Sequence, residues 1–358
     1  MRAIPRISYA RSADGVSLAF TVAGSGPPVV FVPWVPFSNL RMEWEHPVLR
    51  QVFSQLAKQL TVVHYDGRGT GHSQRDVADL SLDAMVADLE AVVDRLGLPE
   101  VGLIGQYNSC PHAIAYAARH PGRVRRMILF GGSARGWNAM SAKQTQALLG
   151  LIEQDWELFA DTAAHQSMGW SAGEAGRAMA EAFKDAVTPQ VARATMRAAS
   201  AADVSDVLAD VAAPTLVVHR AGMSQIPVEV SRALAADLTR GRLVLLDGSQ
   251  PTLFMDDAGA VASMIADFIR NGTEPPAALA SATAAQALDR PVPASGGLTS
   301  RETEVLSLLA GGESNAQIAR RLGLSTHTVE RHVANLYRKI GARGRADATA
   351  YAVRSGLA

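Results

Sequence analysis

The sequence predicts an α/β protein. A mainly parallel sheet is flanked by helices and interrupted by a helical insertion, and a small all-α module follows it. Three observations predict this. Short apolar runs alternate with amphipathic helical patterns up to about residue 270. Residues 135–201 break that rhythm with helical pattern alone. Beyond an Ala- and Pro-rich stretch, 271–297, the chain turns basic and its apolar spacing becomes purely helical. The 358 residues allow about two domains, and 48% apolar against 19% charged residues is the balance of a folded core.

The elements follow in order. Val16 to Val22 has β character, and Pro28 to Val32 is a short apolar run. Leu60 to His64, Val101 to Gly105, Met127 to Phe130, Pro214 to His219 and Leu243 to Leu246 are similar runs. Helical patterns lie between them at Pro47 to Lys58, Leu82 to Leu96, Pro111 to His120, Val228 to Leu238 and Ala258 to Arg270. Short, continuously apolar strands are those a parallel sheet buries on both faces. The insertion at 135–201 follows the fifth or sixth strand and is expected over the sheet as a lid. Residues 271–297 read as a linker, with Pro275, Pro276, Pro291 and Pro293 and a Ser295-Gly296-Gly297 end.

Basic and acidic residues balance at 34 each, but unevenly. Residues 298–358 hold nine Arg and Lys against five Asp and Glu, so the rest of the chain is net acidic. No run approaches the ~18 apolar residues of a membrane span. The start lacks the apolar core of a secretory signal, and the single Cys110 allows no internal disulfide. A cytoplasmic protein without membrane contact is expected, with no cofactor and no metal.

Asp66-Gly67-Arg68-Gly69-Thr70-Gly71-His72-Ser73 follows a strand and is built to turn sharply. Strand Val101 to Gly105 then runs into Gln106-Tyr107-Asn108-Ser109-Cys110 and a helix. Together these resemble the α/β-hydrolase superfamily from Ile7 to about Arg270. Tyr9 to Val16 is similar to that family's first hairpin, and Phe31-Val32-Pro33-Trp34 to the loop that supplies an oxyanion donor. The resemblance implies a nucleophile elbow, G-x-S-x-G. Here the run is Gly105-Gln106-Tyr107-Asn108-Ser109, with tyrosine in the serine's place. Met223 falls where the acid belongs and Pro251 where the histidine belongs. None of the nine histidines lies between Arg220 and Gly297, where this fold places its base. No catalytic residue is therefore assigned. Gly169-Trp170-Ser171-Ala172-Gly173 matches the elbow letter for letter but follows no strand, so it reads as chance. Ser109 and Cys110 read as a capping hydroxyl and a buried thiol, Asp66 and Arg68 as organisers of their turn, and His112 and His219 as structural. All five tryptophans precede the linker. Trp34, Tyr107, Trp137, Met140, Trp170 and Met223 are the candidate contacts for a small apolar or aromatic ligand.

In the C-terminal module, Thr299-Ser300-Arg301-Glu302 and Ser314-Asn315-Ala316-Gln317 are capping boxes that open two helices. Gly323 permits a tight turn, and Ser325 caps a third helix with its stripe at Val329, Val333, Leu336 and Ile340. This is a helix-turn-helix pattern. The segment resembles the LuxR-type (GerE-like) DNA-binding domain through Leu298 to Glu302, Asn315, Ile318-Ala319, Leu322, Ser325, Thr328-Val329, His332, Asn335-Leu336, Lys339-Ile340 and Arg345. Glu330 departs from it, standing where the family often has lysine. The candidate DNA contacts are Ser325, Thr326, His327, Thr328, Glu330, Arg331, Asn335, Arg338, Lys339 and Arg345. Residues near the start of the third helix are expected at base edges, and Lys339 and Arg345 at phosphates.

The expected function is a ligand-responsive transcriptional regulator, a homodimer on a double-stranded DNA operator, whose inactive hydrolase-like domain binds a small effector. The other reading is an active hydrolase with an unconventional nucleophile at Ser109, Cys110 or Tyr107, fused to a DNA-binding domain.

Overall fold

The computed structural model describes residues 4–136, 142–168, 173–223, 226–273, 298–340, 342, 344–354 and 357. Trp137, Met140, Trp170, Ser171 and the expected linker beyond residue 273 lie outside the described residues. The chain groups into two compact units, Met1–Ala139 with Ala182–Leu288, and Met140–Glu181 with Asp289–Ala358.

The first unit is built on eight strands: β1 (Ser8–Arg11), β2 (Ser17–Gly24), β3 (Pro28–Phe31), β4 (Thr61–Tyr65), β5 (Val101–Gln106), β6 (Val124–Phe130), β7 (Thr215–Arg220) and β8 (Gly241–Leu246). Their order in the sheet is β1-β2-β4-β3-β5-β6-β7-β8. β1 and β2 form an antiparallel hairpin, β2 runs antiparallel to β4, and every later pairing is parallel. The helices of this unit are α1 (Leu40–Glu45), α2 (Pro47–Leu56), α3 (Leu82–Arg95), α4 (Cys110–Arg119), α8 (Pro189–Ala201), α9 (Val228–Asp237) and α10 (Ala258–Asn271).

Strand side chains alternate between two cores, as a period of two demands. Val30, Leu103, Met127, Leu129 and Val217 pack with α3, α4 and α9 on one face. Val29, Phe31, Val62, Ile104, Ile128, Phe130 and Val218 pack with α2 and α10 on the other. Helix starts are set by local chemistry. Ser81 accepts from the Ala84 N–H and Thr188 from the Val191 N–H, while Pro47 and Pro189 take first-turn positions that need no donor. The turn after β4 is held from inside. Buried Asp66 accepts from the Leu40 and His72 N–H groups at 2.8 and 2.7 Å, and buried Arg68 pairs with Asp88 at 2.7 Å.

Among the described residues, four α-helices and a short 3-10 helix separate β6 from β7, the α-helices being α5 (Ala142–Gln154), α6 (Trp156–Met168), α7 (Gly173–Ala186) and α8. The second unit holds α5, α6 and the first turns of α7, with α11 (Ser300–Ala310), α12 (Asn315–Leu322), α13 (Thr326–Ile340) and α14 (Arg345–Arg354). Trp156 stacks on Phe159 in α6. α14 packs on α5 and α6 as well as on α11.

Candidate functional site

The turn from β5 into α4 carries the first site. Tyr107 has φ of +50°, a left-handed conformation that costs a non-glycine residue about 1–3 kcal/mol. The surrounding packing holds it there. The Tyr107 hydroxyl donates to the backbone carbonyl of Pro251 and lies 3.3 Å from the Met223 sulfur. Its ring meets Phe130 edge-on. Gly131, with φ of +58°, makes room. A Cβ there would come within 3.2 Å of the Tyr107 ring and 3.4 Å of the Met223 methyl. The fold thus brings together Tyr107, Met223 and Pro251 from three separate loops. Burial pushes the phenol well above its usual range, offset only in part by the nearby Arg220 charge.

Arg220 shapes the loop that presents Pro251. Its guanidinium is buried and donates to the carbonyls of Asp247, Leu253 and Asp256 at 2.6, 2.9 and 2.9 Å. It acts as a clamp, not as a charge offered to a ligand.

The neighbouring nucleophiles are engaged. Ser109 is fully buried, accepts from the Gln106 N–H at 2.8 Å and donates to the Gln106 carbonyl at 2.9 Å. Cys110 is fully buried, and burial pushes its thiol up, away from the reactive thiolate. His219 is buried against Ser231, 3.0 Å from its hydroxyl.

Trp34 lies apart from this group in its contacts. Its ring meets Phe37 and Phe183 edge-on, and Phe37 stacks on Phe183 with centroids 4.0 Å apart. Trp34 also borders a small cavity with His112 and Thr195. Reading the sequence gave those two residues no binding role. A helix-facing histidine and threonine carry no signal of a shared cavity until α4 and α8 are placed. Among the described residues, no three His, Cys, Asp or Glu side chains come together as a metal ion would need.

The C-terminal helices carry the second site. Both capping boxes form: Thr299 with Glu302 and Ser314 with Gln317. Gly323 ends α12 with φ of +64°, the left-handed turn that lets α13 cross α12. Ser325 accepts from the Thr328 N–H at 3.1 Å, opening α13. Val329, Val333 and Leu336 bury one face against Val305, Leu306 and Ile318. The opposite face exposes Thr326, His327, Glu330, Arg331 and Arg338, with Thr328 and Asn335 half-buried beside them. Asn335 accepts from Arg338 at 2.8 Å, and His327 lies 3.8 Å from the Glu330 carboxylate.

Two expected phosphate contacts are occupied elsewhere. Lys339 pairs with Glu302 at 2.6 Å, which ties the end of α13 to the start of α11. That ammonium, with the N–H and hydroxyl of Thr299, holds the Glu302 carboxyl at about 2. Arg345 donates to the carbonyls of Leu309 and Glu313, both at 2.7 Å, closing the end of α11. Arg345 thereby satisfies carbonyls that the helix end would otherwise leave open.

Residues 297–352 match the family of bacterial regulatory proteins, luxR family. The C-terminal segment is a LuxR-type helix-turn-helix domain. Residues 38–174 match the alpha/beta hydrolase fold and residues 180–281 the TAP-like protein family. The LuxR-type segment is 53% identical over 53 residues to the "Probable transcriptional regulatory protein SgaR" of Hyphomicrobium methylovorum, covering 15% of this chain and 25% of that one. The region before it is 25% identical over 289 residues to a non-heme haloperoxidase of Rhodococcus erythropolis, covering 74% and 99% of the two chains. An esterase (EaEST) from Exiguobacterium antarcticum superposes with a TM-score of 0.66 at 19% identity, covering 74% of this chain and 99% of its own. That likeness shows the fold alone. An α/β-hydrolase-fold domain is thus joined to a LuxR-type domain, a pairing that supports DNA binding and a transcriptional regulator. Among the described residues, no helix is long and apolar enough to cross a membrane.

Proposed function

We propose that this chain is a ligand-responsive transcriptional regulator whose hydrolase-fold domain binds an effector without turning it over. One observation carries the reading. The tyrosine at the strained elbow is closed onto Met223 and Pro251, where an ester-cleaving relative of this fold would align acid and base. A phenol raised by burial, donating to a backbone carbonyl, has no base beside it among the described residues to take its proton. Ser109 and Cys110, the other nucleophiles near the elbow, are buried, and Ser109 is hydrogen-bonded to backbone. The fold keeps the pocket-forming architecture of an enzyme, and the fused LuxR-type domain provides an output.

In this reading a small, mostly apolar or aromatic effector changes operator affinity. The DNA-bound species is a homodimer whose two α13 helices enter successive major grooves. Its half-sites are then inverted and about 10 bp apart. The test pairs two assays on the pure protein. Turnover of p-nitrophenyl esters is expected at background, and footprinting is expected to protect an inverted pair of half-sites. Substantial turnover, abolished by Ser109→Ala, would instead establish an active hydrolase with an unconventional nucleophile. Restoring serine alone, by Tyr107→Ser, is expected to give no activity, since acid and base are also replaced.

A further inference from the structure

We propose that His112 and Thr195 form the polar end of a binding site for a neutral alcohol or phenol, in the cavity beside Trp34. The proposal rests on the ligand-binding reading above and specifies where and how the ligand is held. The cavity measures about 20 Å³, room for a water-sized group. Its walls include Val32, Trp34, Val35 and Met85. Tyr107 is not among the lining residues, so this is a different pocket from the sealed elbow.

Among the described residues, Thr195 and His112 face this cavity from opposite elements with no hydrogen-bond partner, and Tyr65 also lines it. Thr195, on α8, is 2% exposed and its hydroxyl makes no hydrogen bond. His112, on the first turns of α4, is 4% exposed and has no hydrogen-bond partner for its ring among the described residues. A buried polar group left unpaired is destabilising, so each can take a partner. Two further hydroxyls of the wall are already engaged. The Ser38 and Thr70 hydroxyls bond each other at 2.6 Å.

Charge complementarity decides the class of ligand. Arg68 and Asp88 also line the cavity, but they meet through paired bonds of 2.8 and 2.7 Å. The remaining Arg68 nitrogen donates to Asp14 and to the Asp79 carbonyl. Arg68 has no nitrogen left over for an anionic ligand. Burial lowers His112 to about 4, so its imidazole is neutral at pH 7, one nitrogen donating and the other accepting. A threonine hydroxyl likewise gives and takes one hydrogen bond. Such a pair is satisfied by a group that also does both, which is a hydroxyl. The hydroxyl enters the cavity, and the apolar body of the ligand lies along Trp34, which is partly exposed.

The test uses the full chain with two isosteric probes, benzyl alcohol and ethylbenzene, titrated by calorimetry and tryptophan fluorescence. Wild type is expected to bind benzyl alcohol more tightly. Thr195→Val, which preserves shape, and His112→Leu are each expected to weaken benzyl alcohol about three- to tenfold and to leave ethylbenzene unchanged. A crystal structure of the complex is expected to place the probe oxygen within hydrogen-bond distance of both side chains. Equal affinity for the two probes, or a preference that survives both substitutions, overturns this assignment while leaving ligand binding elsewhere intact. A complex with only a water between His112 and Thr195 overturns it equally. Failure of wild type to bind either probe overturns both this site and the apolar-effector reading.

Discussion

The hydroxyl of Tyr107 donates to the backbone carbonyl of Pro251, 144 residues further along the chain. This bond joins the elbow after β5 to the loop after β8. It makes the elbow tyrosine a strut between loops. Tyr107→Phe keeps the ring and removes the donor. It is expected to lower stability by about 1 kcal/mol, measured from the urea midpoint at unchanged m-value. No change in midpoint would show that the carbonyl is equally well served by water.

The Arg68–Asp88 pair predicts a larger effect. Both side chains are almost fully buried, at 1% and 2% exposure. Removing one partner strands the other charge, so Arg68→Met is expected to cost about 3–5 kcal/mol. The double variant Arg68→Met with Asp88→Leu is expected to cost less than the sum of the two single changes. Additive losses in a double-mutant cycle would contradict direct coupling.

Acid should weaken the fold through its buried histidines. Burial lowers His112 and His219 to about 4 and His64 to about 3. Unfolded histidines titrate near about 6.5. Between those values the unfolded chain binds protons that the folded chain excludes. The contribution of these histidines is therefore complete above about pH 6.5 and falls as pH drops toward 4, against the opposite slope of Glu43, which burial raises to about 8. The loss approaches about 1.4 kcal/mol per pH unit for each such histidine. Urea titrations at pH 7.5, 6 and 5 measure it, and a flat profile across that range would refute it.

On DNA, the exposed Arg331 and the engaged Lys339 should separate. Arg331→Ala is expected to cost about 1–3 kcal/mol of operator binding and to relax base preference at one position per half-site. Lys339→Ala removes the partner of Glu302, so its main effect is expected on the melting temperature of the LuxR-type domain. Arg345→Ala should act similarly by opening the end of α11. Salt titration of operator and scrambled DNA with all three variants decides the matter. A shallower salt slope for Lys339→Ala at unchanged melting temperature would return that residue to the phosphates.

Much of this molecule is determined within a few residues of chain. The capping boxes at Thr299 and Ser314, the turn at Gly323 and the stripe Val329, Val333, Leu336 depend only on hydrogen bonds and spacing within one or two helical turns. They could be read directly, and so could the alternation of strand and helix and the identities at 107, 223 and 251. Other features required the sheet order β1-β2-β4-β3-β5-β6-β7-β8, which sets loops from distant parts of the chain side by side. Only then does Tyr107 meet Pro251, and only then do α4 and α8 turn His112 and Thr195 toward one cavity. Lys339 and Arg345 show the same limit. On the helix surface they are cations suited to phosphate, yet the packing of α13 and α14 on α11 brings a carboxylate and two carbonyls within reach. Local energies determine which segments are helix or strand. Which side chains become neighbours is decided by burying two apolar faces at once, a condition of the whole chain.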